Sequence, residues 1–103
     1  MIALCYTTFA DQETAIAFAK SLVKNRLAAC ASVAQNSRSF YYWQGELHDE
    51  SECVLTIKTV REKMKEIEAF FASNHPYELP ELISQNYEAS EAYEAWVREG
   101  VGC

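Results

Sequence analysis

The sequence predicts an α+β fold in which four strands form one antiparallel sheet and two long helices cover one of its faces. Three observations predict it. An apolar, β-favouring run from Ile2 to Thr8 gives way at Asp11 to apolar residues at helical spacing. The middle of the chain alternates with period two on either side of Gln44-Gly45, as a hairpin does. A second helical stripe after Thr59 then leads, through a Pro-punctuated loop, into a further short β-like run.

Each element has a local cause. Ile2 to Thr8 reads as a buried central strand. Asp11 is a good N-cap, and Ala15, Phe18, Ala19, Leu22 and Val23 recur on one helical face before Asn25, which suits a left-handed C-terminal position. Ala29 to Val33 and Ser39 to Trp43 read as one long strand, with a bend or bulge in the polar stretch Gln35 to Arg38. After the Gln44-Gly45 reversal, Glu46 to His48 and Cys53 to Thr59 carry the chain back, with Cys53, Leu55 and Ile57 alternating against Val54, Thr56 and Lys58. Thr59 and Glu62 fit a capping box for the second helix, whose stripe is Val60, Met64, Ile67 and Phe71 and whose end falls near Asn74. His75-Pro76 forbids its continuation, because the residue before a proline avoids the α region. Leu82 to Tyr87 supplies the fourth strand, and Ser90 caps a last helix with Ala92, Tyr93, Trp96 and Val97 on one face.

The order β-α-β-β-α-β-α contains the ferredoxin-like βαββαβ arrangement, followed by a C-terminal helix and distinguished by a long hairpin between the second and third strands. With 103 residues, there is room for one domain spanning 1–103. Two long helices on one face leave the other face of the sheet uncovered, although both registers of the third strand carry apolar or β-branched side chains. Phe40, Tyr41, Tyr42 and Trp43 also follow one another, so alternation turns two of these large rings outwards. A subunit interface answers both features, with three or more chains closing sheet edges against one another.

Composition limits the function classes. The formal charge is −6 and the pI is about 4.8. With the nine Lys and Arg scattered, this argues against nucleic-acid or anionic-membrane partners. No apolar run reaches the roughly 18 residues of a membrane helix, and no signal segment precedes the first strand. The four cysteines, Cys5, Cys30, Cys53 and Cys103, form no C-x-x-C pair, so reduced thiols in the cytoplasm are expected: the first three in the core, Cys103 exposed. Neither histidine has a nucleophile motif around it, and the glycines match neither phosphate-binding pattern. His75 stands in a loop beside Tyr77, Glu78 and Glu81, as a metal or ligand contact or as a structural cap of the second helix. His48, near Asp49 and Glu50, reads as a solvated cluster.

The blocks Thr7-Thr8-Phe9-Ala10-Asp11, Arg26-Leu27-Ala28-Ala29-Cys30, Ser39 to Gly45, Ile57-Lys58-Thr59, His75 to Ile83 and Tyr93-Glu94-Ala95-Trp96 together resemble the CutA family, in order and over almost the whole chain. The resemblance implies a homotrimer related in architecture to the PII signalling proteins, with hairpins packing between subunits and clefts at the three interfaces. It also implies a link to tolerance of divalent cations, copper above all, and brings no enzymatic reaction and hence no catalytic residue. The family's proposed copper ligands are a cysteine after the first strand and a His-His pair before the Pro-Tyr; this chain has Thr7 and Asn74 at two of those places. His75 and Cys30 are then the metal candidates, with copper or another divalent cation as the only cofactor implied. Lys58, Tyr77, Glu78 and Trp43 are the candidates for lining or supporting an interface cleft. Two ligand classes stay open: a metal ion, or a small organic anion with Lys58 or Arg38 supplying the positive charge. An enzyme using His75 and Glu78 as an acid-base pair is the third, least supported reading.

Overall fold

The computed structural model describes residues 1–103. Its elements are β1 (Ile2–Phe9), α1 (Gln12–Lys24), β2 (Cys30–Trp43), β3 (Glu46–Thr59), a single 3₁₀ turn (Arg61–Lys63), α2 (Met64–Asn74), β4 (Ile83–Tyr87) and α3 (Glu91–Gly100). The strands form one sheet in the order β2-β3-β1-β4, every neighbouring pair antiparallel. No helix is long and apolar enough to cross a membrane.

Side-chain alternation sorts the sheet into two faces. Cys5 and Phe9 of β1, with Cys53, Leu55 and Ile57 of β3, point to the helices and close a core with Phe18 and Leu22 of α1 and Met64, Ile67 and Phe71 of α2. The other face carries Leu4, Tyr6 and Thr8 beside Lys58, Thr56 and Val54, and none of these six is fully buried. Only one end of it is covered, where Val97 and Val101 at the end of α3 pack with Ile2 and Val60 and against Leu4 and Ala29. Close approach there needs a glycine: a Cβ on Gly100 would sit 2.9 Å from the Cβ of Ala29.

The hairpin explains the shape. Its two strands have 14 residues each, and the molecule measures 45 × 25 × 22 Å. The radius of gyration is 14.2 Å, larger than the about 13 Å of a compact 100-residue domain. Gln44 and Gly45 both take positive φ, 51° and 81°, and join Trp43 directly to its partner Glu46, the geometry a two-residue turn demands. Between Ala34 and Ser37 the register shifts, with Asn36 at φ 67°, so β2 carries one residue more than β3 across the bulge.

Four local expectations need correction. Asn25 is not left-handed; at φ −87° it donates its side-chain amide to the Ser21 carbonyl, and Arg26 takes the positive φ of 59°. Thr59 does not cap the second helix, because β3 runs through it and its hydroxyl donates to the Leu27 carbonyl at 2.7 Å, while Glu62 accepts from Arg98. Along α3 the buried line runs through Val97 and Val101, leaving Tyr93 and Trp96 exposed. Cys5 and Cys53 are core residues as expected, but Cys30 is only half-buried, on the face away from α1 and α2. The Asp11 and Ser90 caps form as read, accepting from the backbone N–H of Thr14 and Tyr93.

Candidate functional site

The 75–82 loop meets the hairpin at the end of the sheet where β1 finishes. His75 enters it fixed on every side. Its ring stacks on Phe9 at 4.4 Å and lies within 5.5 Å of Phe18 and Phe71, all core rings. The backbone N–H of Tyr77 donates to His75 Nδ1 at 3.2 Å, which puts the ring proton on Nε2. Nε2 then donates to the Thr8 carbonyl at 3.1 Å and lies 3.0 Å from the Thr7 hydroxyl. Burial holds the imidazole below its ordinary pKa, against the partial support of the Thr8 carbonyl for the charged form.

The sign of that shift gives a testable consequence. A base whose folded pKa lies below its unfolded value takes up its proton more readily in the unfolded chain. The stability of the neutral ring is therefore complete above about pH 6.5 and is lost as pH falls from there through the folded pKa. Chemical unfolding between pH 5 and 7.5 should show this slope in wild type and a flatter one in His75→Gln; equal slopes would refute the assignment.

Beside His75, Tyr77 reaches across the end of the sheet and donates its hydroxyl to Glu52 Oε2 at 2.7 Å. Burial, then this bond and the Glu52 charge, push the phenol far above its ordinary range, so it stays a donor at any physiological pH. The pair forms one wall of a cleft of about 700 Å³ between the hairpin and the loop. Tyr41 and Trp43 project into the cleft from the hairpin and Glu78 and Glu81 from the loop. His48 stacks on Tyr41 at 5.1 Å and lies 3.6 Å from Glu50. The lining contains four carboxylates, at Glu50, Glu52, Glu78 and Glu81, and no lysine or arginine. Burial, and then repulsion from Glu52, raise the Glu81 carboxyl above its usual pKa.

Of the sequence candidates, Trp43, Tyr77 and Glu78 thus come together in one cleft within a single chain. Lys58 does not join them. It sits nearer the other end of the sheet, paired with Leu4 and Cys30, with its ammonium 5.8 Å from the centre of the Tyr93 ring. Arg38 is held by Asp49 at 2.7 Å. Cys30 and His75 are also apart: Cys30 pairs with Lys58, whereas His75 abuts Thr7 and Thr8, the partners of Leu55 and Val54. Three to four residues along the strand, roughly 10–13 Å, and in addition the width of β3, which lies between β2 and β1, separate the two sites. No three His, Cys, Asp or Glu side chains converge as a metal would need. Burial pushes the Cys5 thiol up to about 11, so it is not a thiolate either.

Glu52 is the residue that sequence reasoning missed. It was not among the candidates read from the sequence, yet it is only 7% exposed. Its phenol partner lies 25 residues further on, so no local pattern could reveal the pair.

A long-hairpin α+β sheet with a cleft between loop and hairpin is a scaffold that fixes no one chemistry by itself. The comparisons with known proteins narrow this to a family. Residues 3–100 match the model of the CutA1 divalent ion tolerance protein family. The divalent-cation tolerance protein CutA of Thermus thermophilus is 34% identical over 96 residues, covering 92% of this chain and 93% of that one. The Thermotoga maritima protein of the same name is 36% identical over 99 residues, or 95% and 97% of the two chains. The solved structure of the Thermus thermophilus divalent cation tolerance protein superposes with a TM-score of 0.92 at 33% identity, covering 97% of this chain and 98% of that one. The chain belongs to the CutA1 divalent ion tolerance family.

Proposed function

We propose that the protein is a cytoplasmic, non-catalytic homotrimer that binds ligands in the response to divalent metal ions, each chain a single ferredoxin-like domain. The observation that carries this reading is the open sheet face. Helices α1 and α2 leave it bare, and α3 covers only one end. Ile83 at its edge is 58% exposed, and Leu4, Tyr6 and Val54 within it are only half-buried. Apolar surface on this scale is typical of a subunit interface.

Copper binding is the part of the reading the donor set supports least. Both His75 ring nitrogens already serve the Thr7, Thr8 and Tyr77 contacts, and Cys30 stands about 10 Å or more away. Thr7 and Asn74 offer a hydroxyl and a carboxamide, poor ligands for a soft ion. A trimer whose copper binding is weak and unchanged by His75→Ala is therefore expected. Light scattering with and without chelator, followed by copper titration of both proteins, tests it. A monomer would refute the assembly; submicromolar stoichiometric binding abolished by His75→Ala would refute the account of copper.

A PII-like small-molecule sensor or scaffold is the second reading. One observation favours it, namely that three of the four residues expected at an interface cleft, Trp43, Tyr77 and Glu78, line the same 700 Å³ cavity, although Lys58 and Arg38 do not.

A further inference from the structure

A buried anion needs a counter-charge, and Glu52 has none in its own chain. It is 7% exposed, Tyr77 holds its Oε2, and no Lys, Arg or His nitrogen lies within 4.0 Å of it, the reach of an ion pair. A phenol hydrogen bond satisfies one oxygen without neutralising the carboxylate. The other carboxylates of the cleft add charge of the same sign, and no basic side chain lines it.

The rest of the wall is aromatic. Tyr41, Trp43 and Tyr77 border the cavity, and its volume lies within the range of roughly 300–1,000 Å³ usual for small-molecule sites. Aromatic faces attract cations and pack against aliphatic stems, and carboxylates beside them supply the charge. An inorganic divalent ion is the wrong guest for this arrangement, since it needs several donors converging on one point and no three do so here. A small organic anion fits no better, because Lys58 and Arg38 are engaged elsewhere.

We propose that the cleft between the β2–β3 hairpin and the 75–82 loop binds an organic cation, an ammonium or guanidinium group on an aliphatic stem, with Glu52 as its counter-charge and Trp43 and Tyr77 against the stem. One chain supplies every wall, but Thr8, Glu50 and Glu52 place the cleft on the open sheet face, so the inference rests on the assembly proposed above for whether a neighbouring copy reaches the cleft or leaves it open. Two sources share this chemistry: a free small molecule, and a Lys or Arg side chain of a neighbouring copy of this chain.

Calorimetric titration of the full-length protein with pentylammonium and agmatine distinguishes them, with pentanol and pentanoate as the neutral and anionic controls. Saturable binding of the two cations, at least tenfold tighter than either control and at least tenfold weaker in Glu52→Gln, is the expected result. Glu81→Gln, which lowers the cleft charge without touching the Tyr77 bond, should weaken binding several-fold. It keeps the test valid if Glu52→Gln fails to fold. Absence of small-cation binding together with a loosened oligomer in these variants assigns the cation to a neighbouring copy. Pentanoate binding as tightly as pentylammonium overturns the proposal, as does absence of binding with an oligomer indifferent to both substitutions.

Discussion

Replacing Phe9 with alanine is expected to lower the free energy of unfolding by about 3–5 kcal/mol, the range for truncating a buried phenylalanine. The residue is fully buried at the end of the central strand. Its ring does more than fill volume, since it stacks on His75 at 15° between planes and contacts Phe18 at 5.0 Å between centroids. The cavity left by truncation would therefore release the imidazole from one side, and with it the Thr8 and Tyr77 contacts that fix the 75–82 loop. Against a typical total of about 5–15 kcal/mol, the loss is a large fraction of the stability of the fold. Urea unfolding at fixed protein concentration should show a midpoint lower by roughly 1.5–3 M with an unchanged slope. A double-mutant cycle with His75→Ala should give a coupling of about 0.5–1.5 kcal/mol for the stacked pair. A loss below about 1 kcal/mol, or zero coupling, would mean that the loop is held by something other than this aromatic cluster.

The contrast between Phe9 and Glu52 marks where sequence reading succeeds. Phe9 lies at the end of an apolar run, and Cys53, Leu55 and Ile57 alternate strictly, so their burial follows from periodicity over a few neighbouring residues. The bulge near Asn36 and the Gln44-Gly45 turn were legible for a similar reason, because polar or positive-φ residues interrupt β-favouring ones. Thr59 misled because a capping box and a strand end can share the same letters. The competing acceptor, the Leu27 carbonyl, lies 32 residues away in sequence. Glu52 is the same kind of case, since one residue before the core-facing Cys53 it points to the opposite side, where only the tertiary arrival of Tyr77 decides that it is buried. Lys58 fails for a third reason: its β3 position was read correctly, but the cleft forms nearer the other end of that strand.

On the trimeric reading, Val54→Glu and Ile83→Glu should dissociate the assembly while leaving each chain folded. Both positions lie on the open face: Val54 between Thr8 and Ala34, and Ile83 opposite Tyr6 on the edge strand. In a lone chain neither side chain is fully buried, so the new carboxylate can remain hydrated and the change in chain stability stays within about 1 kcal/mol. Inside a packed interface the same carboxylate would lose its water and gain no cation. That penalty is several kcal/mol per subunit and is repeated around the symmetry axis. Val23→Glu is the control, because Val23 is exposed on α1, on the other side of the molecule from the open face. Light scattering should then report the mass of one chain for Val54→Glu and Ile83→Glu and of three for wild type and Val23→Glu, with unchanged far-UV circular dichroism throughout. An oligomer that survives both open-face substitutions but dissociates in Val23→Glu would place the interface on the helical side, and the bare sheet face would then need a different partner.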